Sequence, residues 1–110
     1  MRRLLAGLFL SAAAVGAAAE EWTDLTQTGG ESLFGAKCGM CHRANGMGTL
    51  ILGRRLEAER ALLENREDLQ GAFIETVVRN GFNIMFPMSR GEVSDEQLQQ
   101  IIEYLTEEKQ

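Results

Sequence analysis

Apolar residues recur along this chain at helical spacing, and no stretch alternates in the manner of a strand. The last predicted helix is the best marked. Ser94 with Gln97 three residues later makes a capping box, Asp95 and Glu96 suit the positive end of the helix dipole, and Leu98, Ile101, Ile102 and Leu105 follow at core spacing. This pattern predicts a helix over residues 94–107. A second is predicted over residues 69–79, where Leu69, Phe73, Ile74, Val77 and Val78 mark one buried face. Asn80-Gly81 stops it, because glycine accepts left-handed backbone at little cost. Leu33, Phe34 and Lys37 predict a short helix from Glu31 to Cys38, entered at Gly29-Gly30. Residues 56–65 hold strong helix formers, with Leu56, Leu62 and Leu63 on one side, enough for a helical turn or two. Residues 43–48, rich in glycine, and residues 82–92, with the single proline, read as loops. The fold class is all-α.

The N-terminus has a different layout. Arg2 and Arg3 precede an apolar stretch from Leu4 to Val15, and Ala17-Ala18-Ala19 follow, as in an export signal over residues 1–19. The apolar run is shorter than the roughly 18 residues a spanning helix requires. Cleavage before Glu20 predicts a periplasmic protein with no membrane span; an uncleaved leader would be a weak anchor. Residues 20–30 read as a polar arm, with Trp22 a peripheral packing residue, and residues 31–110 as one domain.

Loss of Arg2 and Arg3 takes the formal net charge from −5 to −7. An acidic chain with scattered cations excludes nucleic acid as a partner. Lys37 and Lys109 are the only lysines, so docking through a lysine ring is not expected. A domain this small is poor in core volume and needs a supplement. The two cysteines are separated only by Gly39 and Met40, so a disulfide between them would close a tiny loop and add little stability.

Cys38-Gly39-Met40-Cys41-His42 instead has the spacing of covalent haem attachment. Two thiols add across the two haem vinyl groups, and the adjacent histidine becomes the proximal iron ligand. A structural zinc site needs four such ligands, and the chain has two cysteines and one histidine. A thioredoxin-like pair needs a βαβ setting that is absent from this pattern. A plain disulfide is the remaining alternative. Export agrees with haem, whose covalent attachment takes place outside the bacterial cytoplasm. With no second histidine, a methionine is the natural sixth ligand, and His/Met ligation raises the reduction potential. Met1 lies in the leader and Met40 in the attachment motif, which leaves Met47, Met85 and Met88.

Further features join this motif: Gly46-Met47-Gly48, the interval from Gly81 to Met85, Ser94-Asp95-Glu96, and Tyr104-Leu105. Together they make the chain resemble class I cytochrome c over nearly all its length after the leader. The resemblance implies three to four helices wrapped around one covalently bound haem c. Cys38, Cys41, His42 and Met85 would bind it, with His42 and Met85 on the iron. The family places proline directly after the ligand methionine, whereas Phe86 precedes Pro87 here, so Met88 is the alternative. The family also places proline after Leu-Gly, with a carbonyl that accepts from the proximal histidine; Leu52-Gly53 is followed by Arg54, whose carbonyl is expected to do the same. Gly30, Phe34 and Tyr104 match the family's crossing of first and last helices.

The function implied is that of a single-electron carrier, not itself an enzyme, serving a redox-protein donor and acceptor. Electrons would pass through a haem edge walled by Leu50, Ile51, Phe82, Ile84 and Phe86. The resemblance extends to cytochrome subunits paired with flavoproteins such as p-cresol methylhydroxylase, so a dehydrogenase subunit is one alternative. A haem enzyme or gas sensor with an open iron site is another, although no distal acid or base is placed by motif.

Overall fold

A computed structural model describes residues 29–107. The expected export signal over residues 1–19, most of the expected N-terminal arm with Trp22, and Lys109 lie outside the described residues. Among the described residues, six helical segments occur in chain order: α1 (Gly30–Lys37), α2 (Gly39–His42), α3 (Met47–Leu52), α4 (Ala58–Ala61), α5 (Gly71–Asn80) and α6 (Asp95–Thr106). A 3-10 turn, Leu63–Asn65, follows α4. Among the described residues there is no strand, only an isolated bridge between Phe82 and Met85.

The framework is the crossing of α1 and α6, with α5 packed beside α6. Close approach depends on Gly30, where a Cβ atom would collide with the Gln100 carbonyl oxygen and with Tyr104 Cβ. Phe34 fills the crossing, fully buried, with its ring 5.9 Å from that of Tyr104 at an interplanar angle of 48°. This is the contact expected of Gly30, Phe34 and Tyr104. Leu98, Ile101, Ile102 and Leu105 line the inner side of α6, and each such side chain contributes roughly 1.5–3 kcal/mol when removed from water.

The capping box forms as the sequence predicts. Gln97 N donates to Ser94 Oγ at 3.1 Å, and Ser94 N donates to Gln97 Oε1 at 3.1 Å. These two bonds satisfy amides that the first helical turn leaves without partners. Just before the cap, Val93 is buried in the core, although no periodic pattern marked it.

Two expectations are corrected. Residues 43–48 are not all loop, because α3 begins at Met47. Asn45 turns the chain at φ 64, and Gly46 is extended at φ −71, ψ 150 as the N-cap. The glycines reflect close approach to α2, not loop structure: a Cβ at Gly46 would collide with the Cys41 carbonyl. The segment 56–65 forms the helical turn or two expected of it, divided at Leu62, which is extended at φ −82, ψ 116 and separates α4 from the 3-10 turn. Its buried residue is Ala61 instead of the leucines.

On α5 the buried stripe is narrower than expected. Ile74 and Val78, one turn apart, are buried, whereas Phe73 is 53% exposed and Leu69 precedes the helix. Residues 73 and 77 lie about 100° around the helix from 74 and 78, so they cannot share the full contact with α6. Gly81 ends α5 at φ 76, ψ 168, a positive-φ region open essentially to glycine, and Gly81 N donates to Val77 O at 2.8 Å.

Candidate haem-attachment site

The attachment motif folds as one helical turn. Cys38 N donates to Phe34 O at 2.8 Å, so α1 hands the chain directly to the motif. Cys41 N and His42 N then both donate to Cys38 O, at 3.1 and 3.0 Å. Residues three and four apart in such a turn share one side. Cys38, Cys41 and His42 are thereby gathered, and both thiols are free.

The two thiols differ in setting. Cys38 is half-buried against the core and Cys41 is exposed. Burial, with Cys41 as a secondary cause, pushes the Cys38 thiol up to about 11, so it stays protonated near neutral pH. Burial also lowers the His42 value, which keeps the imidazole neutral.

Residues after the motif build a seat for His42. A Cβ at Gly48 would lie 2.8 Å from the Cys41 carbonyl oxygen and 3.0 Å from His42 Cε1. Glycine is therefore what allows α3 to lie against the ring. Thr49 Oγ1 donates to Arg43 O at 2.9 Å and ties the start of α3 back to the end of α2.

The expected contact from Arg54 is absent. His42 Nδ1 is buried and has no hydrogen-bond partner. Gly53 is helical at φ −63, ψ −10, and Arg54 N donates to Ile51 O at 3.2 Å, so the chain winds on past Leu52. A proline at 54 would have no N–H to donate and would disfavour helical backbone at Gly53. Arginine permits the winding, and its carbonyl does not meet the ring.

Met85 and Met88 both pack, half-buried, against the core, as Cys38 does, whereas Met40 and Met47 are exposed. Met85 sits in a tight turn with Phe82: Phe82 N donates to Met85 O at 3.0 Å and Met85 N to Phe82 O at 2.9 Å. Asn83 takes positive φ, 53°, within it. Met88 is anchored on α5 through its amide, 2.7 Å from Val78 O.

The donor set fits a haem. Two free thiols and a neutral imidazole with an unpartnered buried nitrogen lie in one turn. Of the residues expected to wall the haem, Leu50, Phe82, Ile84 and Phe86 are large apolar side chains more than half exposed, available to a large apolar group, and Ile51 is half-buried. Among the described residues, no three His, Cys, Asp or Glu side chains converge as a metal cage.

A family model described as "Cytochrome C oxidase, cbb3-type, subunit III" matches residues 25–105. The chain is a class I c-type cytochrome. It is 32% identical over 106 residues to the 4-cresol dehydrogenase [hydroxylating] cytochrome c subunit of Pseudomonas putida, covering 96% of this chain and 82% of that one. No solved structure matches. Family membership brings a covalently bound haem c with its iron, and with it electron transfer in place of substrate turnover. The all-α class is that of the described residues. None of the cytochrome's described helices is long and apolar enough to cross a membrane.

Two groups around the site escaped the sequence. Arg43, next to His42, lies 5.8 Å from the Phe34 ring centroid and donates to Glu64 at 3.2 Å. Arg79, near the end of α5, bonds to the segment that follows the methionine turn. Only the basic character of the last turn of α5 signalled the second, and a helix C-terminus favours a cation there in any case.

Proposed function

We propose that this cytochrome is an exported single-electron carrier. Its haem would be held by thioethers at Cys38 and Cys41 and ligated axially by His42 and Met85. The observation that carries this reading is the single turn holding two free thiols beside a half-buried imidazole whose Nδ1 is buried and unpartnered. When bound, haem supplies a ferric/ferrous couple, and a His/Met pair sets it at the high potentials used by carriers. Neutral His42 has a lone pair for the iron, and Gly48 keeps α3 from tilting the ring. Met85, pinned by its turn with Phe82, offers a thioether with little freedom to leave. Against a bound haem, Phe82, Ile84 and Phe86 would exclude water from its face, which limits reorganisation as charge changes. The leader over residues 1–19 supports a periplasmic location.

Expression in cells that mature c-type cytochromes tests the reading. Haem peroxidase staining should survive denaturing electrophoresis, and a double Cys38→Ala, Cys41→Ala variant should lose it. The ferric protein should show the weak far-red methionine-to-iron band, absent from Met85→Ala and present in Met88→Ala. A band lost only in Met88→Ala would transfer the ligand role to Met88. Ready carbon monoxide binding with no far-red band would favour an open-site haem enzyme or sensor.

A second reading is favoured by the P. putida relative, which is a dehydrogenase cytochrome subunit. In it, this chain docks on a flavoprotein dehydrogenase and takes its electrons. Size-exclusion chromatography of protein from its native source separates the two readings, through co-elution of a flavoprotein or elution of the cytochrome alone.

A further inference from the structure

The segment from Gly81 to Val93 carries both Met85 and Met88 and forms no helix. Irregular backbone needs partners for its amides and carbonyls, and a ligand borne on it is only as steady as those partners. One side chain supplies several of them. Arg79 Nη1 donates to Met88 O at 3.2 Å and to Val93 O at 2.9 Å, and Arg79 Nη2 donates to Asp95 Oδ1 at 2.8 Å. The side chain is only 13% exposed. Beside it, Met88 N donates to Val78 O at 2.7 Å. The end of α5 thus holds the segment just after the methionine turn and again at the entrance of α6.

This is a task for arginine in particular. Its planar fork donates in several fixed directions and stays charged, so its bonds to carbonyls and carboxylate are charge-assisted. Lysine offers a point charge without the fork. A soft thioether is also held less firmly by the harder ferric iron than by the ferrous form, so the ligand segment needs its own restraint in the oxidised state.

We propose that Arg79 is a positioning residue for the sixth iron ligand. By clamping the Met88 and Val93 carbonyls and Asp95, it keeps the methionine segment against α5 in both oxidation states. This rests on a methionine of that segment being the ligand.

The test uses the full-length holoprotein with Arg79→Gln and Arg79→Lys, followed by the far-red band of the ferric form and the rate at which added imidazole displaces the methionine. Loss of charge-assisted bonds should speed displacement by about tenfold or more in Arg79→Gln. Arg79→Lys should also be faster than wild type, because the fork is lost. Covalent haem content and helical circular dichroism should stay at wild-type levels in Arg79→Lys, which separates loosening of the ligand from unfolding. Wild-type displacement rates in Arg79→Lys would overturn the proposal, as would band loss that occurs only together with helix loss. A far-red band that survives both Met85→Ala and Met88→Ala would instead overturn methionine ligation itself.

Discussion

Tyr104 Oη donates a 2.8 Å hydrogen bond to Glu64 Oε1, which joins α6 to the 3-10 turn across 40 residues of sequence. The same carboxylate oxygen accepts from Arg43 Nη2 at 3.2 Å. Arg43 directly follows His42, so one carboxylate links the last helix to the attachment turn. Phe34 lies between them, its ring against both Tyr104 and Arg43.

Tyr104→Phe keeps the ring contact with Phe34 and removes only the hydroxyl. A loss of about 1 kcal/mol in unfolding free energy is expected, the usual net value of one hydrogen bond. Urea denaturation of the holoprotein, followed by circular dichroism, measures it. An unchanged midpoint would show that Glu64 is satisfied equally well by Arg43 alone.

The same hydroxyl gives an alkaline dependence. Burial first, and the bond to Glu64 next, push Tyr104 up to about 12. The folded protein then holds a proton that the unfolded chain, near the ordinary value of about 10, gives up. This contribution is whole below about pH 10 and is lost as the pH rises through about 12. Between about pH 10 and about pH 12 the wild type should therefore lose more stability than Tyr104→Phe. Parallel decline in the two proteins would assign the effect to other groups.

Gly30→Ala places a methyl against the Gln100 carbonyl and Tyr104 Cβ, which are parts of the α6 backbone and its root and cannot swing aside. Overpacking of this kind costs roughly 1–3 kcal/mol, a fall of about 5 °C or more in Tm. Gly91→Ala serves as the control, since its nearest neighbour, Ser89 Oγ, is 3.6 Å from the added atom. Thermal melts with equal loss in both variants would remove the special role of Gly30.

Gly48→Ala brings a Cβ to 3.0 Å from His42 Cε1. The ring or α3 must yield by a few tenths of an ångström, so the expected result is a changed reduction potential with covalent haem content intact. Redox titration against the wild type reads it. An unaltered potential would mean that α3 shifts while the ring stays in place.

The clustering of the candidate site was legible because it is local. Cys38, Cys41 and His42 need only one turn of chain to meet, and the Ser94 capping box needs only four residues. The α6 face was equally readable, since i, i+3 and i+4 neighbours share a side of any helix. Residues 43–48 were harder to read. Glycine permits turns and also permits contact, and at Gly46 and Gly48 it serves contact with Cys41 and His42.

The sequence by itself determined the helical class and the turn that gathers Cys38, Cys41 and His42, because each depends on residues adjacent in the chain or one helical turn apart. Tertiary structure decided which groups steady that site. Arg79 reaches Val93 over 14 residues, Arg43 reaches Glu64 over 21, and Tyr104 reaches Glu64 over 40. Tertiary structure also leaves Arg54 away from His42. A polar side chain's partner is set by which backbones the packed core brings within about 3 Å, and local periodicity carries no record of that.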